Sequence, residues 1–219
     1  MGLDYYLIST SVNDRSPAGV LVEEFVLGED FTAAGIDSAE WGSETGAWLA
    51  APEVSRAIRS DGALRRRVMP VDRRDARDAY AYLGGGELPQ EDRLRDFFRR
   101  RQPLPASAPL HLGTAPAKAR RYRILFAGEL GADGLAKAQA ALRLEPTGDP
   151  RVVGKASGSA GGHGFTWELR RIGAGIAWCV DVTVRLGTGP LAMLGALLHH
   201  HREAIREQGL IPVTVERFA

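Results

Sequence analysis

The sequence predicts an α+β protein built from two unequal regions, the second running strand, helix, strand, strand, helix, strand. Three observations carry this reading. In four stretches after residue 120, apolar side chains recur at every second residue. Two intervening stretches repeat them every third or fourth residue, the helical period. A proline-rich seam, residues 102–118, separates this half from residues 1–101, because Pro103, Pro105, Pro109 and Pro116 lack the N–H that a long helix or central strand needs.

In the first half, Asp4–Val12 reads as a strand with Tyr5 and Leu7 on one face, and Val20–Leu27 as a second. Gly28 to Ala51 is rich in Gly, Ala, Ser and acids and reads as irregular. Pro52–Ser60 reads as a short helix and Leu64–Val71 as a strand. Asp72 or Asp75 caps a helix that runs to Tyr82 and stops at Gly84-Gly85-Gly86. A further helix opens at Leu88–Glu91 with Leu94, Phe97 and Phe98 facing inward. The result is a smaller α+β region of unassigned fold.

In the second half, Tyr122, Ile124 and Phe126 alternate with Arg121 and Arg123, the pattern of a half-buried strand. Gly131-Ala132-Asp133 supplies a turn and cap for a helix bearing Leu135, Ala138 and Leu142, and residues 146–150 end it. Phe165, Trp167 and Leu169 mark the second strand. Trp178, Val180, Val182 and Val184 mark the third, joined through a glycine-bearing turn at residues 172–175. Thr188 and Pro190 open the second helix, whose stripe is Leu191, Leu194, Leu198, His201 and Ile205, and Gly209 closes it. Ile211, Val213 and Val215 form the last strand, with Pro212 suiting an edge. This βαββαβ order over residues 119–219 resembles the ferredoxin-like two-layer sandwich, which implies strand order 4-1-3-2. Many unrelated functions share that fold.

The 219-residue composition, 44% hydrophobic and 25% charged, excludes a disordered chain. No apolar run approaches the roughly 18–20 residues that span a bilayer, and the start lacks a signal-peptide pattern, so the cytosol is the expected compartment and no membrane partner is expected. The single Cys179 excludes an intrachain disulfide. Of 28 Lys and Arg residues only three are lysine, a skew that a GC-rich, bacterial coding bias explains. The net charge of +1 exerts no general pull on nucleic acid.

Candidate chemistry begins with the sheet face opposite the helices. There the implied strand order places Arg121, Arg123, Cys179, Asp181, Thr183 and Arg185, with Glu168 and Arg170 at one flank. Such a face is a solvated lattice of ion pairs, a contact surface for a protein partner or a second copy, or a seat for a small anion. Thr188, in Gly187-Thr188-Gly189, is a second anion candidate at a helix start. Residues 155–164 read as a mobile loop, a lid with His163 as its contact. They are no P-loop, because Ala156 follows Lys155 where Ser or Thr is required. His199, His200 and His201 point about 100° apart on a helix and cannot converge on a metal, and no GxSxG motif is present. No metal or cofactor is expected. Arg65-Arg66-Arg67, Arg73-Arg74 and Arg99-Arg100-Arg101 interleave with acids, the mark of an ion-paired surface, so nucleic acid is a disfavoured partner. The expectation is a non-catalytic protein acting through protein–protein contacts. The alternatives are a small-molecule enzyme or sensor with a pocket under the 155–164 loop, and phosphate or nucleic-acid binding.

Overall fold

The computed structural model describes residues 2–13, 16–104, 119–173 and 177–218. These form two compact units, one of Met1–Gly28 with Ala33–Pro105 and one of Glu29–Thr32 with Ala106–Ala219. The protein is mixed α+β with two antiparallel sheets. Among the described residues no helix is long and apolar enough to cross a membrane.

The first unit holds strands β1 (Asp4–Ser9), β2 (Pro17–Leu27), β3 (Ala33–Gly42), β4 (Ala47–Ala50), β5 (Val68–Val71) and β6 (Arg101–Pro103). Its helices are α1 (Pro52–Ser60), α2 (Gly62–Arg65), α3 (Arg73–Tyr82) and α4 (Glu91–Arg95). The sheet order is β4-β3-β2-β1-β5, with β6 also paired to β3. Tyr5, Leu7, Val20, Val22, Ala39 and Trp41 share a core with Ala76, Ala79 and Tyr80 of α3. The Asp72 carboxylate accepts from the Asp75 N–H at 2.8 Å and caps that helix.

Two expectations are corrected here. Gly28–Ala51 is not irregular, because it contains β3 and β4. Its alternation is masked by small and polar residues such as Ser38, which is fully buried. Cross-strand pairs Val20–Trp41, Val22–Ala39 and Phe25–Ile36 set its register instead. Gln102 and Pro103 sit in β6 on Gly35–Asp37, not in a linker. The rest of the proline-rich seam, residues 105–118, lies outside the described residues, as does the turn at 174–176.

The second unit holds β7 (Ala119–Ala127), α5 (Ala132–Ala141), β8 (Val152–Ala160), β9 (His163–Ile172), β10 (Ala177–Arg185), α6 (Ala192–Arg206) and β11 (Ile211–Arg217). The five strands lie in the order β11-β7-β10-β9-β8, every neighbour antiparallel. Tyr122, Ile124, Phe126, Phe165, Leu169, Trp178, Val180 and Val182 are buried, as are Ala138, Leu142, Leu194, Leu198 and Ile205 from the helices.

The expected mobile loop at residues 155–164 is instead β8 and its hairpin to β9. Gly161 and Gly162 both have positive φ, +55° and +79°, and Ala160 pairs with His163. That is the two-residue turn whose twist matches its flanking strands. Residues 154–160 carry too little apolar side chain for an alternating signal. The strand exists because its backbone pairs with β9.

Candidate functional site: the outer face of the second sheet

Strand alternation turns Arg121 and Arg123 of β7, Glu168 and Arg170 of β9, and Asp181 and Arg185 of β10 away from the helices. The register aligns one charged residue from each of five strands. Glu216 faces Arg123, Arg123 faces Asp181, Asp181 faces Glu168, and Glu168 faces Lys155. At the centre Arg123 Nε and Nη2 donate to the two Asp181 oxygens at 2.7 and 2.8 Å. This two-bond fork is the strong form of the pair. Donation to the Asp181 carboxylate is the largest influence on Arg123 and raises its pKa against the opposing effect of burial. Arg170 Nη1 donates to Glu168 at 3.1 Å and lies 3.9 Å from Asp181. The Arg123 guanidinium also covers the Phe218 ring at 5.2 Å.

Five of the eight residues singled out from sequence, Arg121, Arg123, Glu168, Arg170 and Asp181, line a shallow recess of about 260 Å³. Lys155, Thr166, Trp167, Val182, Thr183 and Phe218 complete it. Lys155 was not placed on this face by the sequence because β8 was not legible, whereas Thr166 lies on the legible β9 two residues from Glu168. The Gly161-Gly162 pair was the available turn signal. Arg121 and Lys155 are exposed and make no ion pair among the described residues. Two neutralised pairs, the cations Arg121 and Lys155, and the carboxylate of Glu216 therefore share one face.

The other three residues fall elsewhere. Arg185 occupies the end of β10 opposite Ala119 and Gly164, outside the recess. Thr188 does not cap α6, which begins at Ala192 behind Leu191 with no side-chain cap. His163 is no lid contact but a buried clasp. Its Nδ1 accepts the Gly187 N–H at 3.0 Å, and Nε2 lies 3.3 Å from the Pro190 carbonyl. The Gly187 N–H expected to face an anion is thereby occupied. Gly187 and Gly189 are glycines because any Cβ would fall 1.9 and 1.6 Å from the carbonyl oxygens of Gly162 and Gly161.

The remaining chemical candidates are closed by packing. Cys179 is fully buried, and burial, followed by the Asp181 charge, pushes its thiol up to about 12. His201, on the apolar stripe of α6, is buried with a hydrogen bond on neither ring nitrogen, and its ring packs on Trp167 at 4.9 Å. Glu203, one turn after His199 on α6, is held by Arg202 at 2.9 Å and Arg206 at 3.3 Å. Among the described residues no cluster of three side chains could hold a metal. In the first unit Arg59, Arg95, Arg100 and Arg101 are each forked onto a carboxylate, of Glu23, Glu24, Glu53 and Asp37. Those four arginines are matched locally. No family model, curated protein or solved structure matches the chain.

Proposed function

We propose that the protein is a non-catalytic binding module that docks a protein partner on the outer face of its second sheet. The second unit is then a ferredoxin-like sandwich carrying β8 as an extra edge strand, a reading supported by the order β11-β7-β10-β9 and the two helical crossovers. One observation carries the functional reading, the row of charges across all five strands, in which Lys155 and the neighbouring Arg121 make no ion pair among the described residues. Self-neutralised pairs fix a rigid charge pattern, and the unmatched cations suit a partner presenting carboxylates. Rim charges of this kind set association rate and specificity more than affinity.

The test is charge reversal at exposed positions, which leaves the core untouched. Arg121→Glu with Lys155→Glu should weaken capture of the cognate protein from the native source at least tenfold and remove its salt dependence. Reversal of exposed Arg77 in the first unit serves as the control. Equal capture by both variants rejects the proposal.

The recess itself favours a second reading, a small anion held by Arg121, Lys155 and the Thr183 hydroxyl. Calorimetric titration with inorganic phosphate or malonate separates the two, since saturable binding lost in Arg121→Glu supports the anion.

A further inference from the structure

The outer edge of β8 carries features that the face does not explain. Lys155 exchanges both backbone bonds with Glu145, N–H to carbonyl at 2.9 Å in each direction. By the two-residue period of a strand, the next outward-facing N–H and C=O groups belong to Ser157 and Ser159. Among the described residues β8 pairs only with β9 and, at Lys155, with Glu145, so these groups have no strand partner. Natural edges are normally protected by charge, proline or a bulge. Here the bulge lies before Gly154 and the charge at Lys155, while residues 156–160 read Ala-Ser-Gly-Ser-Ala.

A groove of about 590 Å³ runs beside this edge. Trp167 contributes an aromatic ring, anchored by its N–H to the Leu142 carbonyl at 2.9 Å. Gly158 leaves that ring uncovered, since a Cβ there would lie 3.4 Å from it. At the far wall stands Arg143. It occupies the position after the α5 cap, with φ +52°, and closes a Schellman motif through Arg143 N to Ala140 O and Leu144 N to Gln139 O. Glycine is the usual residue there, because a side chain is strained at positive φ. The arginine retained at that position makes no ion pair among the described residues and lines the groove, as does Lys155.

We propose that the β8 edge is a second binding site, taking an extended polypeptide segment of a partner by strand addition. The segment's backbone pairs with Ser157 and Ser159, an apolar side chain covers the Trp167 ring beside Gly158, and a carboxylate meets Arg143 and Lys155. Unpaired backbone groups supply affinity in this mode and the adjoining groove supplies specificity. The two unpaired cations in the groove, against the single carboxylate of Glu145, select an acidic segment over a basic one. The site goes beyond the face reading, shares Lys155 with it, and is told apart from it by Arg121, which lines the face alone.

The experiment pans a phage-displayed random dodecapeptide library on the full-length chain. Enriched peptides are then measured by fluorescence polarisation against variants. Ser157→Pro removes an outward N–H at an edge position where proline is tolerated. Gly158→Leu covers the Trp167 ring. Each should weaken binding at least tenfold, and peptide should slow hydrogen exchange at Ser157 and Ser159. Arg121→Glu should leave peptide binding unchanged, which separates this site from the face. No enrichment, undiminished binding by Ser157→Pro, or unchanged exchange at both serines overturns the proposal. Loss in Gly158→Leu alone overturns strand addition in favour of a ligand that uses only the ring. If Ser157→Pro fails to fold, Gly158→Leu and the exchange measurement still decide.

Discussion

Glu23 of β2 and Arg59 of α1 meet inside the first unit in a two-bond fork, at 3.0 and 2.7 Å, with the Glu23 side chain fully buried. Arg59 Nη1 also reaches the Ser55 carbonyl at 2.7 Å. Burial opposes the guanidinium's charge, but the Glu23 charge and hydrogen bonds outweigh it and move the Arg59 pKa upward. Removing one partner of such a pair strands the other, at a cost of about 3–5 kcal/mol, whereas replacing both by apolar residues is often close to neutral. Arg59→Met should therefore lose about that much in urea unfolding, and Glu23→Leu with Arg59→Met should recover most of it. Additive losses would show that the pair is not coupled.

The His163 clasp predicts a local effect. Nδ1 accepts the Gly187 N–H, a bond only the neutral ring can make. His163→Phe removes this part-buried hydrogen bond and should cost about 0.5–1.5 kcal/mol. Amide exchange at Gly187 should rise well before the sheet opens. Gly187→Ala should be at least as damaging, because its Cβ meets a backbone oxygen that cannot swing aside.

His201 gives the protein an acid limit. Burial, with the charge of His200 behind it, pushes its pKa down to about 3. The unfolded chain takes up that proton near pH 6.5, and the folded protein does so only near pH 3. Stability is therefore fully present above pH 6.5. It falls as pH drops through that window, by up to about 1.4 kcal/mol per pH unit from this group. Comparing His201→Leu with the parent between pH 7 and 4 should show a shallower loss in the variant. Identical slopes would remove His201 as a cause.

Cys179 should be inert in the native protein. With its thiol pushed up to about 12 and the side chain fully buried, thiolate at pH 8 is scarce. A disulfide-exchange reagent should label it only at the rate of unfolding, which stopped-flow absorbance in native buffer and in urea can compare.

What sequence could and could not disclose follows from where each signal resides. The outer-face residues Arg123, Asp181 and Glu168 were legible because β7, β9 and β10 alternate strongly, so their burial pattern is written in local side chains. Lys155 was not, because β8 has almost no apolar residue to alternate and is held by backbone pairing to β9, where Lys155 faces Glu168 thirteen residues on. The segment containing β3 was illegible for a related reason. It buries Ser38 beside Ile36 and Ala39, so polarity does not track its two faces.

By itself the sequence determined the mixed α+β class, the helical stripes, and which face of β7 and β10 carries charge, since period and side-chain polarity are local properties. Only the tertiary structure decided that five strands rather than four carry the charged row. It also decided that Gly187 serves His163 instead of an anion, and that the glycine-rich run is an edge with unpaired backbone. Each of these depends on pairing between distant segments, whose geometry no single stretch of chain encodes.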